Sequence, residues 1–338
     1  MTKTKSLIFY TILALVAIVT GVAIGSIYLN TLPKGTSGFG LTEAMFRDDD
    51  KTVETLYNEA INGKKNSFSA VELYQIGEYK LKNGGVSYVK VLSGDVSAGV
   101  GFIKVPQQMK SIKISTSDGV YYLKMSKAES SMAPSMAVKQ KYEYDNPNMV
   151  YLNETRDSDD IDGDTSEDFK LVIGEDTARN ITVDEYKLIF NTSPATPLTY
   201  IISSKTTAEG NFDQNVTLNS SGQYVFKIKM TGEYATNAAT YYSYEIAHFS
   251  NKEIVLPPSD VTNEAEMQKY YNKVSSALPK WQSVEIEGVM DENFNLVSLK
   301  YKEVYTVKQM GLNATVTDNF TDVFYYDQKT IDESLALL

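Results

Sequence analysis

Residues 296–310, LVSLKYKEVYTVKQM, and 312–326, LNATVTDNFTDVFYY, decide how this chain folds. In the first, Leu299, Tyr301, Tyr305 and Val307 fall on one face, and Lys300, Lys302, Thr306 and Lys308 on the other. In the second, Leu312, Ala314, Val316, Phe320, Phe324 and Tyr326 share a face, opposite Asn313, Thr315, Thr317, Asn319 and Thr321. Side chains alternate along a strand with a period of two, so both stretches read as strands with one apolar and one wet face. Gly311 turns the chain between them. Residues 283–290, SVEIEGVM, read as a third strand, joined by a hairpin turn at Asp291-Glu292-Asn293-Phe294-Asn295. An antiparallel sheet with one apolar side must cover it. The expected cover is a helix over 263–278, where Met267, Tyr270, Tyr271, Val274, Ala277 and Leu278 share a face. Asn263 with Glu266 caps that helix and Pro279 ends it.

Further upstream the pattern repeats in outline. Residues 52–62 read as a helix, with Val53, Leu56, Tyr57, Ala60 and Ile61 on one face. A second helix is expected over 70–81, where Ser69 and Glu72 have capping-box spacing. Strands are then expected at 86–94, 96–106, 109–116, 119–126, 137–146 and 149–152, with turns at Ser93-Gly94-Asp95 and Ser117-Asp118-Gly119. Residues 197–210, 211–219 and 222–233 also read as strands. The domain reading is a unit over 51–152, an acidic linker over 153–170 and a second β-rich unit over 171–330.

The formal net charge is −11. Residues 154–168 hold eight acids against one Arg, so most of that charge is local. No basic run interleaves with aromatics, which excludes a nucleic-acid footprint. The acidic run fails as an EF-hand: with Gly163 at loop position 6, position 12 is Phe169 where a bidentate Glu is needed. A looser calcium site on Asp160, Asp162 and Asp164 is the alternative to a solvated linker. The chain has no Cys and a single His, His248. That excludes disulfides, thiolate chemistry and metal sites needing two histidines. Acids are plentiful, but spacing singles out no catalytic pair, so no enzyme activity and no cofactor are expected.

Lys3 and Lys5 precede residues 7–29, an uncharged run long enough to cross a bilayer as a helix. The lysines favour a cytoplasmic N-terminus. The rival is a cleaved signal peptide, with Ala23-Ile24-Gly25 resembling a cleavage site. Residues 1–32 are therefore an anchor or signal and 33–50 a spacer. Either way the bulk of the chain is expected outside the cytoplasm, at the cell membrane.

The C-terminal stretch, with Asp291, Asn293, Asn295, Tyr305, Val307 and Gly311 at its turns and long strand, resembles exported proteins of Gram-positive gut bacteria. Its layout is similar to the lipoprotein-carrier half-barrel superfamily, which includes lipoprotein chaperones and mycobacterial lipid-binding lipoproteins. The resemblance implies an α+β fold: an N-terminal transmembrane helix, then antiparallel β-meander half-barrel units with helices on the concave face. It implies a membrane-anchored, extracytoplasmic, non-enzymatic binding protein for an apolar, lipid-like ligand or a cell-envelope partner. The inner-face residues that would line the ligand are Tyr301, Tyr305, Phe320 and Phe324 on the sheet, with Met267 and Tyr271 on the helix. The alternative is a surface glycan-binding or adhesin module, motivated by the 24 tyrosines.

Overall fold

A computed structural model describes residues 47–100, 103–128, 137–146, 149–157, 176–182, 198, 200–207, 212–231, 279–309 and 312–337. The anchor or signal expected over 1–32, the helix over 263–278 with Met267 and Tyr271, the acids Asp160, Asp162 and Asp164, and His248 lie outside these residues. Among the described residues no helix is long and apolar enough to cross a membrane.

Among the described residues two helices come first. Asp49 caps α1 (Asp50–Ile61) by accepting from the Lys51 N–H at 2.9 Å. Ser69 and Glu72 close a capping box on α2 (Ala70–Asn83), as their spacing requires: Glu72 N–H donates to Ser69 Oγ at 3.2 Å, and Ser69 N–H to Glu72 Oε2 at 2.9 Å. Eleven strands follow: β1 (Tyr88–Val100), β2 (Ile103–Thr116), β3 (Gly119–Ala128), β4 (Ala137–Asn146), β5 (Met149–Asp157), β6 (Asp176–Thr182), β7 (Phe212–Leu218), β8 (Tyr224–Thr231), β9 (Lys280–Met290), β10 (Leu296–Gln309) and β11 (Leu312–Tyr325). They form a single sheet in the order β6-β5-β4-β3-β2-β1-β11-β10-β9-β8-β7, with every neighbouring pair antiparallel. A last helix, α3 (Gln328–Leu335), is capped by Asp327 through the Thr330 N–H.

The fold is thus mainly antiparallel β with few described helices. The strands of both expected units belong to one sheet, because β1 pairs with β11 from Val89↔Tyr325 to Gly99↔Thr315. The boundary expected at residue 152 falls inside β5, and residues 153–157 continue that strand.

Two expectations are corrected. Ser93-Gly94-Asp95 is not a turn but the middle of β1. Gly94 is there for closeness: a Cβ at that position would strike the Asn319 carbonyl and Phe320 on β11. Residues 200–207 are not a strand but an irregular segment closed by a local turn. Ser203 N–H donates to Thr206 Oγ1 at 2.9 Å, and Thr207 Oγ1 donates to the Ser203 carbonyl at 2.7 Å. Such side-chain bonds satisfy the backbone locally and compete with ladder formation. Neither β6 nor α3 was legible in the sequence pattern. The Asp291–Asn295 turn does form, with Asp291 Oδ1 accepting from the N–H groups of Asn293 (2.9 Å) and Asn295 (2.8 Å).

The two faces of the sheet differ as the alternation dictates. α2 and the segment 200–202 cover the inner face of the C-terminal half. Leu73, Tyr74 and Ile76 meet Phe226, Ile228, Val284, Ile286, Leu299, Tyr301 and Tyr305 in the main core. Gly77 lets α2 press directly on Leu296, whose side chain would lie 2.7 Å from a Cβ there. The outer face of β8–β10 is wet, with Lys227–Glu287 (2.8 Å) and Lys229–Glu285 (3.0 Å) paired across β8 and β9. α3 covers a small second core on the outer face, where Ile331 meets Val89, Ile112, Ile114 and Leu123.

On the inner face, Phe226 is seated flat over Gly288, its cross-strand partner on β9. Any Cβ at Gly288 collides with that ring. Gly288→Ala should therefore cost about 1–3 kcal/mol as overpacking. Urea unfolding should show a lower midpoint at unchanged slope, and adding Phe226→Leu should recover part of the loss.

Candidate functional site

Strand phase predicts an unbroken apolar inner face, but the structure places charges in it. Lys90 on β1, Lys113 on β2, Glu303 on β10, and Asp318 and Asp322 on β11 all point inward, and all are at most 7% exposed. Buried charges at this density have to be held by one another or by hydroxyls.

Glu303 and Asp318 are direct partners across β10 and β11. Burial pushes Glu303 up to about 7, against the opposing pull of hydrogen bonds with Tyr200 and Asp318. Burial, with the charge of Glu303 second, holds Asp318 well above the usual carboxylate range. The Tyr305 hydroxyl donates to Asp318 Oδ2 at 3.2 Å. Two carboxyl groups facing each other in a dry layer resist ionising together, which is why both are held above the usual carboxylate range.

The second cluster is basic on one side. Lys90 and Lys113 are cross-strand partners on β1 and β2. Asp322 lies one inward position from the Lys90 partner, Phe324, and its Oδ2 is 3.4 Å from Lys90 Nζ. Burial, and then the charge of Lys90, hold Lys113 well below the usual ammonium range. Burial raises Asp322 despite the pull of both lysines. Nearby, the Tyr122 hydroxyl donates to Ser111 Oγ at 3.0 Å.

An aromatic frame surrounds the acids. Trp281 lies 4.5 Å from Tyr305 and 6.2 Å from Tyr200 between ring centroids, and Tyr200 lies 5.9 Å from Tyr301. The Tyr74 hydroxyl of α2 donates to the Tyr200 carbonyl at 3.0 Å. The cover is fastened at its rim. Arg47 pairs with Glu78 of α2 at 2.6 Å, while Asp48 accepts from Gln75 at 2.7 Å and from the Ser204 N–H at 3.0 Å and hydroxyl. Burial alone would raise Asp48, but the hydrogen bonds from Ser204 and Gln75 outweigh it and hold the carboxyl low.

Of the expected ligand-lining residues, Tyr301, Tyr305 and Phe324 are buried on the inner face. Phe320 is half-buried against the same core. These four share one face as expected. The charged residues among them were missed, although the signal was available: Glu303, Asp318 and Asp322 occupy the inward phase of otherwise apolar alternations. A charge in the wrong phase marks either a strand error or a buried polar site, and here the strands are right.

No family model matches the chain, and no curated protein matches it. Among solved structures, a β-barrel-like protein of domain of unknown function DUF1849 from Brucella abortus is similar over 71% of this chain and 98% of that one. The identity is 7% and the TM-score 0.25.

Removing one partner of a buried ion pair strands the other. Asp322→Ala should cost about 3–5 kcal/mol, because it leaves Lys90 buried without its carboxylate beside a second lysine. Lys90→Met combined with Asp322→Leu should cost far less. Urea denaturation of the two variants checks the difference.

Proposed function

We propose that the protein is a non-enzymatic, membrane-tethered binding protein acting outside the cytoplasm, which holds an apolar, lipid-like ligand against the inner face of its sheet. The supporting observation is the asymmetry of the layers. A broad aromatic face, with Tyr88, Trp281, Tyr301, Tyr305 and Phe324 inward, is covered among the described residues by one helix and an irregular segment. Polar contacts join the parts of the cover to one another (Arg47–Glu78, Asp48–Gln75, Asp48–Ser204 and Tyr74–Tyr200), while α2 meets the sheet through apolar side chains. A cover of this kind can lift without breaking the β-ladder, and an acyl chain matches the face beneath it. The half-barrel layout of lipoprotein carriers, with the sheet curled around such a chain, belongs to the same proposal.

The glycan-binding alternative asks for exposed rings. Among the residues whose side chains are described, Tyr325 is the exposed aromatic. A hydrolase on Glu303 and Asp318 has its acid pair, but a substrate would have to displace the cover to reach it.

The test is extraction of the full chain, purified from membranes in mild detergent, followed by mass spectrometry. A lipid at near-equal amount to protein is expected, with several-fold less in folded Tyr301→Ala and Phe324→Ala variants. Absence of lipid, or equal amounts in all three proteins, would overturn the reading.

A further inference from the structure

We infer that the lipid-like ligand carries an acidic head group, a carboxylate, which is received by Lys90 and Lys113 on the inner face of β1 and β2. The inference rests on the binding reading above and adds the chemical class of the ligand to it.

Strand register brings the groups together. Lys90 and Lys113 are opposite one another on β1 and β2, at 7% and 2% exposure. Tyr122 of β3 is the partner of Lys113 on its other side, and its hydroxyl donates to Ser111 Oγ of β2 at 3.0 Å. On the far side of β1, Phe324 of β11 is the partner of Lys90 and lies 6.4 Å from Tyr88 between ring centroids. The adjacent strands β3, β2, β1 and β11 thus set two amines and two hydroxyls directly beside the aromatic face.

The electrostatics favour an anion of single charge. Asp322 is engaged with Lys90 at 3.4 Å. Its charge also pulls on Lys113, yet burial and the charge of Lys90 prevail and hold that amine well below the usual ammonium range. A long-chain carboxylic acid answers this imbalance. It enters as a neutral molecule, gives its O–H proton to the Lys113 amine, and leaves a carboxylate against an ammonium. The new ion pair brings no net charge into the dry layer, and its hydrogen bond is charge-assisted. Ser111, whose oxygen accepts from Tyr122, turns its own O–H to the same carboxylate. A phosphate head fits less well, since it brings up to two charges to a site where Lys90 already holds a carboxylate. A cationic head would be repelled by both lysines. The alkyl tail then runs from the lysine pair over Phe324 and Tyr88, so head and tail meet the polar patch and the aromatic face in that order.

The test uses the full chain purified in mild detergent. It is incubated with equimolar palmitic acid, hexadecanol and hexadecyl phosphate, exchanged into fresh detergent, and its retained lipid measured by mass spectrometry. Empty micelles taken through the same steps give the reference for partition into detergent. Relative to that reference, palmitic acid should be retained about tenfold over hexadecanol. Lys113→Met should retain hexadecanol as wild type does and lose the preference for the acid. The wild-type comparison requires no variant to fold. Equal retention of acid and alcohol, or a preference that persists in folded Lys113→Met, would overturn the head group and leave the binding reading standing. Preferential retention of hexadecyl phosphate would overturn the carboxylate. Retention of none of the three would overturn the binding reading and the head group together.

Discussion

The ladder between β1 and β11 is the constraint on which the rest depends. It joins strands separated by more than two hundred residues, and it fixes the order of everything on either side. β2 to β6 extend outward from β1, and β10 to β7 extend outward from β11. Without this junction the chain would be two smaller sheets, each with an open edge of unpaired backbone groups. The junction also sets which side chains meet. Because β1 and β11 are neighbours, Lys90 reaches Asp322. Pairing so remote in sequence is slow to form, since loop closure comes before the contacts that reward it.

The charges on the inner face follow from the same junction. β10 and β11 bring acids and β1 and β2 bring lysines, so the two signs meet where the halves of the sheet meet. The compensation is incomplete. Burial raises the acids and lowers Lys113, which means the protein holds these groups closer to neutral than their chemistry prefers. An apolar core of the same shape would be at least as stable.

Much of this fold was legible because strand phase is a strong signal. Leu299, Tyr301, Tyr305 and Val307 on one side and lysines on the other left a single way to orient β10. The cap of α2 was equally plain in Ser69 and Glu72. The failures have physical causes. Gly94 looked like a turn because glycine's usual roles are turns, and only the neighbouring strand explains its second use, allowing close approach. Residues 200–207 carried a strand-like composition, but Ser203 and Thr206 bond to the backbone and win locally. The joining of both halves into one sheet could not be read at all, since pairing partners leave no trace in a single sequence. The acid pair fell between these cases. Each of Glu303 and Asp318 was visibly out of phase, yet their meeting depends on the register of two strands.

The clasp at Arg47 and Asp48 has a mechanical consequence. Among the described residues, tension applied to the chain from its N-terminal side reaches these two residues before any strand. Their bonds run to α2 and to Ser204, so the load is delivered to the lid and not to the sheet. Side-chain bonds of this kind rupture singly, whereas a β-ladder must shear many rungs at once. Pulling from that side would therefore load the helix cover before the platform, making the clasp a fuse ahead of the β-ladder.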